Sequence, residues 1–141
     1  MVIQRWQTLL LLVATVLMGF MCASPLAQSA VTEASAAPTQ FFVHEAPVFL
    51  VLNIVIAVLL FIAIFLFKNL KLQMRVTVFS IVLMAASAVT CGFILYKAMP
   101  DATIIWTGAV LLLVLAAAFA VVALRLMKKD YKLLRSVNRL R

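Results

Sequence analysis

Charged residues are scarce in this sequence, and their scarcity excludes a water-soluble fold. Only 11% of the 141 residues are Asp, Glu, Lys or Arg. A soluble domain of this size carries roughly 25%. Hydrophobic residues make up 67% of the chain, which is more apolar surface than a core of this size can enclose. The composition therefore predicts one membrane domain, with no room for a separate soluble catalytic domain.

Charge is missing altogether from four stretches, each about as long as the roughly 20 residues that cross a bilayer as a helix. They are residues 6–26, 48–67, 76–96 and 104–124. Pro47 precedes the second stretch, at a position where a helix tolerates the missing N–H. We therefore predict an all-α membrane protein, built as an up-and-down bundle of four transmembrane helices.

The first stretch allows a second interpretation, because Arg5 precedes it and the small residues Ala27, Ser29 and Ala30 follow it. A basic start, an apolar middle and small residues afterwards are features of a cleaved secretory signal. The apolar run is longer than a signal core and fits a full span, which favours a retained helix. Cleavage would leave the other spans in the same orientation.

Lysine and arginine are almost missing from one side of the predicted membrane. Of the 12, only Lys97 falls there, and Glu33, Glu45 and Asp101 fall with it. Because Lys and Arg resist translocation, this distribution predicts a multi-pass membrane protein with both termini in the cytoplasm. The cations flank apolar spans, so the partners that we expect for the net charge of +8 are anionic lipid headgroups and not a specific nucleic acid.

The cations on the predicted cytoplasmic side form a candidate contact surface. Those expected to contact lipid headgroups or a docking partner are Arg5, Lys68, Lys71, Arg75, Lys128, Lys129, Lys132, Arg135 and Arg139. Residues 125–141 are predicted to continue the fourth span as a basic amphipathic helix, with Leu133, Leu134 and Val137 on its apolar side. The pattern favours a helix that rests on anionic headgroups. Docking on a cytoplasmic partner or on RNA would use the same surface.

Sequence motifs for catalysis are missing. No Asp, Glu, Lys, Arg or His lies inside a predicted span, whereas pumps, proton-coupled carriers and voltage sensors place such groups at membrane depth. Nucleotide loops, GxSxG, HExxH and paired carboxylates do not occur. The neighbours His44 and Glu45 offer two ligands, and a metal site usually needs three or four. We therefore expect no enzyme, no catalytic residue, no cofactor and no metal site.

Polar and sulfur-containing side chains within the spans are few. Asn53 is the only strongly polar side chain of the second span. We predict that it makes an interhelical hydrogen bond worth about 1 kcal/mol, the alternative being that it holds a solute group. Cys22 and Cys91 lie at similar depths in spans one and three. We interpret them as free thiols. The alternative is a disulfide between them, which requires that the two spans touch. Two small-xxx-small patterns predict close packing between spans three and four, namely Ala88 with Gly92 and Ala116 with Ala120.

Three stretches on the predicted cytoplasmic side carry a family resemblance, namely Ile3–Thr8, Phe65–Arg75 and Lys129–Arg141. The chain resembles, over its whole length, a family of small four-span inner-membrane proteins of Gram-negative bacteria known only as a domain of unknown function. Trp6 stands where an aliphatic residue is expected in that family. The resemblance implies an intact first span and assigns no catalytic residue.

The lack of catalytic chemistry and the cytoplasmic concentration of motifs predict an accessory or scaffolding subunit. Such a subunit would pack against a larger membrane assembly, through a membrane protein partner or by self-association. The alternative is a small carrier or channel for a weakly polar solute, formed by a homo-oligomer. The residues that would line its path are Asn53, Ser80, Ser87, Thr90 and Thr107.

Overall fold

Long α-helices dominate the computed structural model, which describes residues 2–29, 40–98, 104–106 and 108–139. The helices are α1 (Val2–Ala23), α2 (Pro47–Phe65), α3 (Leu70–Ala98) and α4 (Gly108–Arg139), and the short strands are β1 (Pro25–Ser29), β2 (Gln40–Phe42) and β3 (Ile104–Trp106). All four helices are long and apolar enough to cross a membrane. The chain is a multi-pass membrane protein, and the predicted set of four transmembrane helices is confirmed.

The four helices pack side by side in chain order around one core. α1 contacts α2 and α4, and α3 contacts the same two helices from the other side, so α1 and α3 occupy diagonal positions. The α1–α4 contact is the most extensive of the four neighbouring pairs, and the α3–α4 contact is the least extensive. The first helix is therefore a full member of the bundle, and the fourth helix is held mainly by it.

Buried positions recur along each helix mostly at alternating steps of four and three residues. They are Gln7, Leu11, Ala14, Met18 and Met21 in α1, Phe49, Asn53, Ile56, Leu60 and Ala63 in α2, Gln73, Thr77, Ser80, Met84, Ser87, Cys91 and Leu95 in α3, and Ala109, Leu113, Ala116, Ala120, Ala123 and Met127 in α4. A repeat near 3.5 residues keeps one seam turned towards the neighbouring helices when they supercoil in a left-handed sense.

The distribution of polarity is inverted relative to a water-soluble bundle. The buried seam of α3 includes Gln73 and Thr77, which are 2% and 0% exposed. On its outward face Val78, Phe79 and Val89 are 42%, 55% and 75% exposed. Water would penalise so large an apolar surface, whereas hydrocarbon covers it at no cost. The bundle is therefore built with lipid as its outer solvent.

A three-stranded antiparallel sheet lies at one end of the bundle, with β1 between β2 and β3. The predicted helical fold is confirmed, and this short sheet adds to it and corrects two predicted span limits. The first span was predicted to reach residue 26, but α1 ends at Ala23, because Pro25 follows and disfavours helical geometry in the residue before it. The fourth span was predicted to begin at residue 104, but Ile104–Trp106 pairs with β1 and α4 begins at Gly108.

The opposite end holds the start of α1, the connection between α2 and α3, and the last turns of α4. We call it the α2–α3 end. The predicted basic turn, residues 68–75, is shorter than expected, because a 3-10 turn at Leu66–Lys68 and then Asn69 form the whole connection before α3. The third helix thus begins before residue 76, the predicted start of its span. α4 continues without a break beyond residue 124 to Arg139, as predicted.

Candidate functional site

The cluster of cations at the α2–α3 end is the most distinctive surface of the described residues. We call it the basic corner, and its members are Lys68, Lys71, Arg75, Lys128 and Arg135. Asn69 directs the chain into it: its N–H donates to the Leu66 carbonyl at 2.9 Å, and its own carbonyl accepts from the Gln73 N–H at 3.0 Å. The second contact is the first hydrogen bond of α3. α3 therefore begins directly after Asn69, with no longer loop between α2 and α3.

Helical spacing explains why these cations face one another. Lys71 and Arg75 are four residues apart and lie on one face of α3. On α4, Lys128, Tyr131 and Arg135 follow at steps of three and four residues and also share a face. The two faces meet across the α3–α4 interface, where the Lys71 Nζ atom lies 5.8 Å from the centroid of the Tyr131 ring. A cation over an aromatic face at this distance is stabilised and restricted in its motion.

Two adjoining grooves open beside this contact. The first has a volume of about 590 Å³ and includes Lys68, Lys71, Arg75, Tyr131 and Arg135 in its wall. The second has a volume of about 740 Å³ and shares Lys71, Arg75 and Tyr131 with the first. None of the described residues that line either groove is acidic. The pair of grooves therefore presents a positive potential without a carboxylate of its own to neutralise it.

The second groove is half apolar. Beyond Tyr131 and the cations, its wall consists of apolar side chains: Met74, Val78, Phe79, Val82 and Leu124. A third groove of about 350 Å³ follows along the same α3–α4 interface towards the sheet end. Its wall includes Ala88 and Gly92, and a Cβ atom built on Gly92 meets no atom within 4 Å. The prediction that these two small residues bring spans three and four into close packing is therefore wrong.

A side-chain hydrogen bond joins α1 and α4 beside the basic corner. Gln7 of α1 is 1% exposed, and its Nε2 atom donates a hydrogen bond to Oδ2 of Asp130 on α4. Asp130 is an isolated acid among the cations of residues 125–141. Gln7 and Asp130 are 123 residues apart in the chain. The one sequence signal for this contact was an acidic residue among cations, and the sequence analysis did not use it.

Asn53 connects α2 with α3 inside the bundle. Its Nδ2 atom donates to the Phe49 carbonyl of its own helix at 2.7 Å, and its Oδ1 atom accepts from the Ser87 hydroxyl at 3.1 Å. The interhelical contact predicted for Asn53 is thus present in the structure. Thr77 and Ser80 donate to carbonyls one turn earlier in α3, at 2.8 and 2.9 Å. Within the described part of the chain, every buried side-chain nitrogen or oxygen has a hydrogen-bond partner.

These hydrogen bonds bear on the predicted solute path. Asn53, Ser80 and Ser87 are gathered in the core, but each satisfies its polar groups within the protein. Thr90 is not buried and donates to the Ala86 carbonyl of its own helix. Thr107 lies outside the described residues. The arrangement therefore gives these buried side chains a packing role.

Replacing Asn53 by leucine is expected to lower the free energy of unfolding by about 1 kcal/mol, because the interhelical bond to Ser87 is lost and that hydroxyl keeps no acceptor on α2. In a double-mutant cycle with Ser87→Ala, we expect a coupling energy of about 0.6 kcal/mol. Unfolding in detergent micelles, followed by circular dichroism, measures both. Thr90→Val, which removes only a hydrogen bond within α3, is the control. A coupling of zero would show that the contact carries no stability.

The two thiols predicted as a candidate pair are separate. Cys22 is half-buried and Cys91 is buried, and both are free. They belong to α1 and α3, which occupy diagonal positions in the bundle, so the geometry required for a disulfide is not met. The disulfide alternative is therefore corrected to the free thiols that the sequence favoured.

The remaining predicted site residues do not belong to the basic corner. Lys129 and Lys132 are exposed and line neither of the first two grooves. Arg5 and Arg139 belong to α1 and α4, and their side chains lie outside the described part of the protein. Glu45 is exposed in the 3-10 turn Val43–Glu45 at the sheet end. No group of three or more potential metal ligands gathers among the described residues.

Comparisons with known proteins give one match. Residues 3–140 match a family described as a domain of unknown function (DUF4293). No curated protein and no solved structure matches the chain. The family covers the whole bundle, the basic corner and the last turns of α4, and it brings no activity with it.

Proposed function

The chain belongs to the DUF4293 family of domains of unknown function, and for this member we propose the role of an accessory or scaffolding subunit in the bacterial inner membrane. Its basic corner and the last turns of α4 face the cytoplasm, where the exposed apolar side chains of those last turns hold a partner protein. Three features support this role: helices that face lipid, a core whose buried polar side chains are hydrogen-bonded within the protein, and an exposed surface of mixed apolar and cationic character.

The proposed orientation rests on where the fold gathers its cations. The Gln7–Asp130 bond and the Lys71–Tyr131 contact bring the start of α1, the α2–α3 connection and the last turns of α4 to one end. Lys97 lies near the other end of α3. Cationic segments stay on the cytoplasmic side during insertion. The α2–α3 end is therefore proposed to lie in the cytoplasm, with both termini.

One observation carries the proposed docking role: the packing face of α4 continues beyond the bundle. The buried seam of α4 runs by steps of four and three residues to Met127, and the same steps lead on to Leu134. There the side chains of Leu133, Leu134 and Val137 are 51%, 61% and 68% exposed. Tyr131 of α4 contacts Lys71 of α3. Beyond Tyr131, α4 continues for about two more turns. A face that packs on helices inside the bundle is left open outside it.

The open face has the character of a docking helix. Leu134 and Val137 are one turn apart and fall on the same side, while Lys129 and Lys132 are exposed on a different side. An apolar stripe beside cations fits the groove of a partner protein with an acidic rim. A helix lying in the headgroup layer would use the same residues, and the experiment below separates the two.

A photo-reactive amino acid at position 137, which lines neither groove, is expected to crosslink the protein to one discrete partner in native membranes. The same group at position 132 is the control, since this residue is exposed on a different side of α4. Mild-detergent purification should also yield that partner in stoichiometric amount. Joint replacement of Leu133, Leu134 and Val137 by serine should remove the partner, because the apolar contact is lost.

Two results would contradict the proposed role. Crosslinking of lipid alone from position 137 would place the helix in the headgroup layer. Purification of this polypeptide alone, with the serine variant indistinguishable from the original, would show that no subunit depends on the open face.

A further inference from the structure

We propose that α3 and α4 form a binding site for a single anionic phospholipid at the α2–α3 end of the bundle. Lys71, Arg75 and Lys128 hold the phosphate of the headgroup, and one acyl chain lies in the apolar half of the second groove. The site needs no protein partner, so it stands or falls separately from the docking role proposed above.

The charge of the site selects an anionic headgroup. Five cations surround the first two grooves, namely Lys68, Lys71, Arg75, Lys128 and Arg135, and none of the described lining residues is acidic. Arg75 offers the planar pair of N–H donors that fits phosphate oxygens. Basic pockets between transmembrane helices are recognised places for anionic headgroups. Opposite charge on the ligand is thus required to balance this corner.

One of these cations is held ready for the ligand. The Lys71 Nζ atom lies 5.8 Å from the centre of the Tyr131 ring, and the two residues line both of the first two grooves. The ring restricts the flexible lysine chain before the ligand arrives, which lowers the entropy lost on binding. Tyr131 therefore acts as a positioning residue for Lys71.

The shape of the second groove selects a lipid over a free anion. Two of its cations lie in the first turns of α3 and the third, Lys128, lies on α4, and the apolar wall then follows α3 from Met74 to Val82 against Leu124 of α4. Seven residues along α3, from Arg75 to Val82, correspond to about 10 Å of helix. A free phosphate would fill only the cationic part. An acyl chain fills the rest and buries apolar surface there.

The loose α3–α4 interface leaves room for the acyl chain to extend beyond the second groove. This interface is the least extensive of the four neighbouring pairs. The third groove, lined by Ala88 and Gly92 among others, extends it towards the sheet end. The first groove adds Lys68 and Arg135 beside the shared Lys71 and Arg75. A headgroup with two phosphates can therefore engage both grooves at once, and diphosphatidylglycerol should bind more tightly than phosphatidylglycerol.

The first test uses the purified full chain in a neutral detergent and follows its thermal unfolding and, by native mass spectrometry, its bound lipid. We expect one molecule of diphosphatidylglycerol to bind and to raise Tm most, phosphatidylglycerol to raise it less, and phosphatidylcholine to leave it unchanged. Equal shifts with phosphatidylcholine would overturn the proposal. So would an equal shift with inorganic phosphate alone, which would indicate a site for a free anion.

Matched variants locate the site. Lys71→Gln with Arg75→Gln should weaken diphosphatidylglycerol binding by about tenfold or more, the effect of losing roughly one charge-assisted contact. The double variant Lys129→Gln with Lys132→Gln removes the same number of positive charges, but from residues of α4 that line neither groove. Its affinity for diphosphatidylglycerol should be unchanged. Val78→Phe should weaken binding by filling the second groove, and Val89→Phe, on the open lipid face, should not. Equal losses in both charge pairs would show diffuse attraction and overturn the site.

Discussion

Replacing Ala120 by leucine is expected to destabilise the bundle by about 1–3 kcal/mol, because three extra carbon atoms enter a seam with no space for them. Ala120 is fully buried, as are Ala116 and Ala123 on the same seam of α4. These alanines let α4 approach its neighbours closely, and the α1–α4 contact is the most extensive in the bundle. Close approach by small residues is what holds helices together where lipid supplies no hydrophobic drive.

The matched control for this prediction lies two residues away. Ala118 is exposed on the lipid-facing side of α4, so Ala118→Leu adds the same atoms where hydrocarbon already surrounds the helix. Denaturant titration in mixed micelles, followed by circular dichroism, should show a lower midpoint for Ala120→Leu and an unchanged one for Ala118→Leu. If both variants lowered the midpoint alike, the assigned seam of α4 would be wrong.

The transmembrane helices could be predicted because their signal is local. Each stretch of apolar residues contains within itself the length and the hydrophobicity that a span requires. Pro47 likewise marks the start of α2 at the first position of the helix. The strands could not be predicted in this way. Ile104–Trp106 is as apolar as the span that follows it, and it becomes a strand only because β1, far away in the sequence, pairs with it.

The site was predicted as a set of cations but not as a geometry. The sequence placed Lys71, Arg75, Lys128 and Arg135 on one side of the membrane, because that depends only on the order of spans and charges. Which of them meet depends on the rotation of α3 and α4 about their axes. That rotation follows from the buried seams, which in α3 include polar residues such as Gln73 and Thr77. The order of spans and charges does not determine this rotation, so the groove and Tyr131 were missed.

The second large effect that we expect concerns the orientation in the membrane. A reporter that is active only in the cytoplasm, fused after Arg141, is expected to be active. The same reporter inserted between residues 99 and 103, beyond the end of α3, is expected to be inactive. The cause is the cost of moving Lys and Arg across the bilayer, which keeps the α2–α3 connection and the last turns of α4 on the cytoplasmic side.

A charge variant separates the contributions to this orientation. Lys68→Gln, Lys71→Gln and Arg75→Gln together should leave the C-terminal reporter active, because Lys128, Lys129 and Lys132 still resist translocation at the same end. The orientation is thus expected to be specified twice, once by the connection and once by α4. An active reporter between residues 99 and 103 would reverse the proposed threading. It would also move the basic corner to the outer leaflet and away from any cytoplasmic partner, although the grooves themselves would persist.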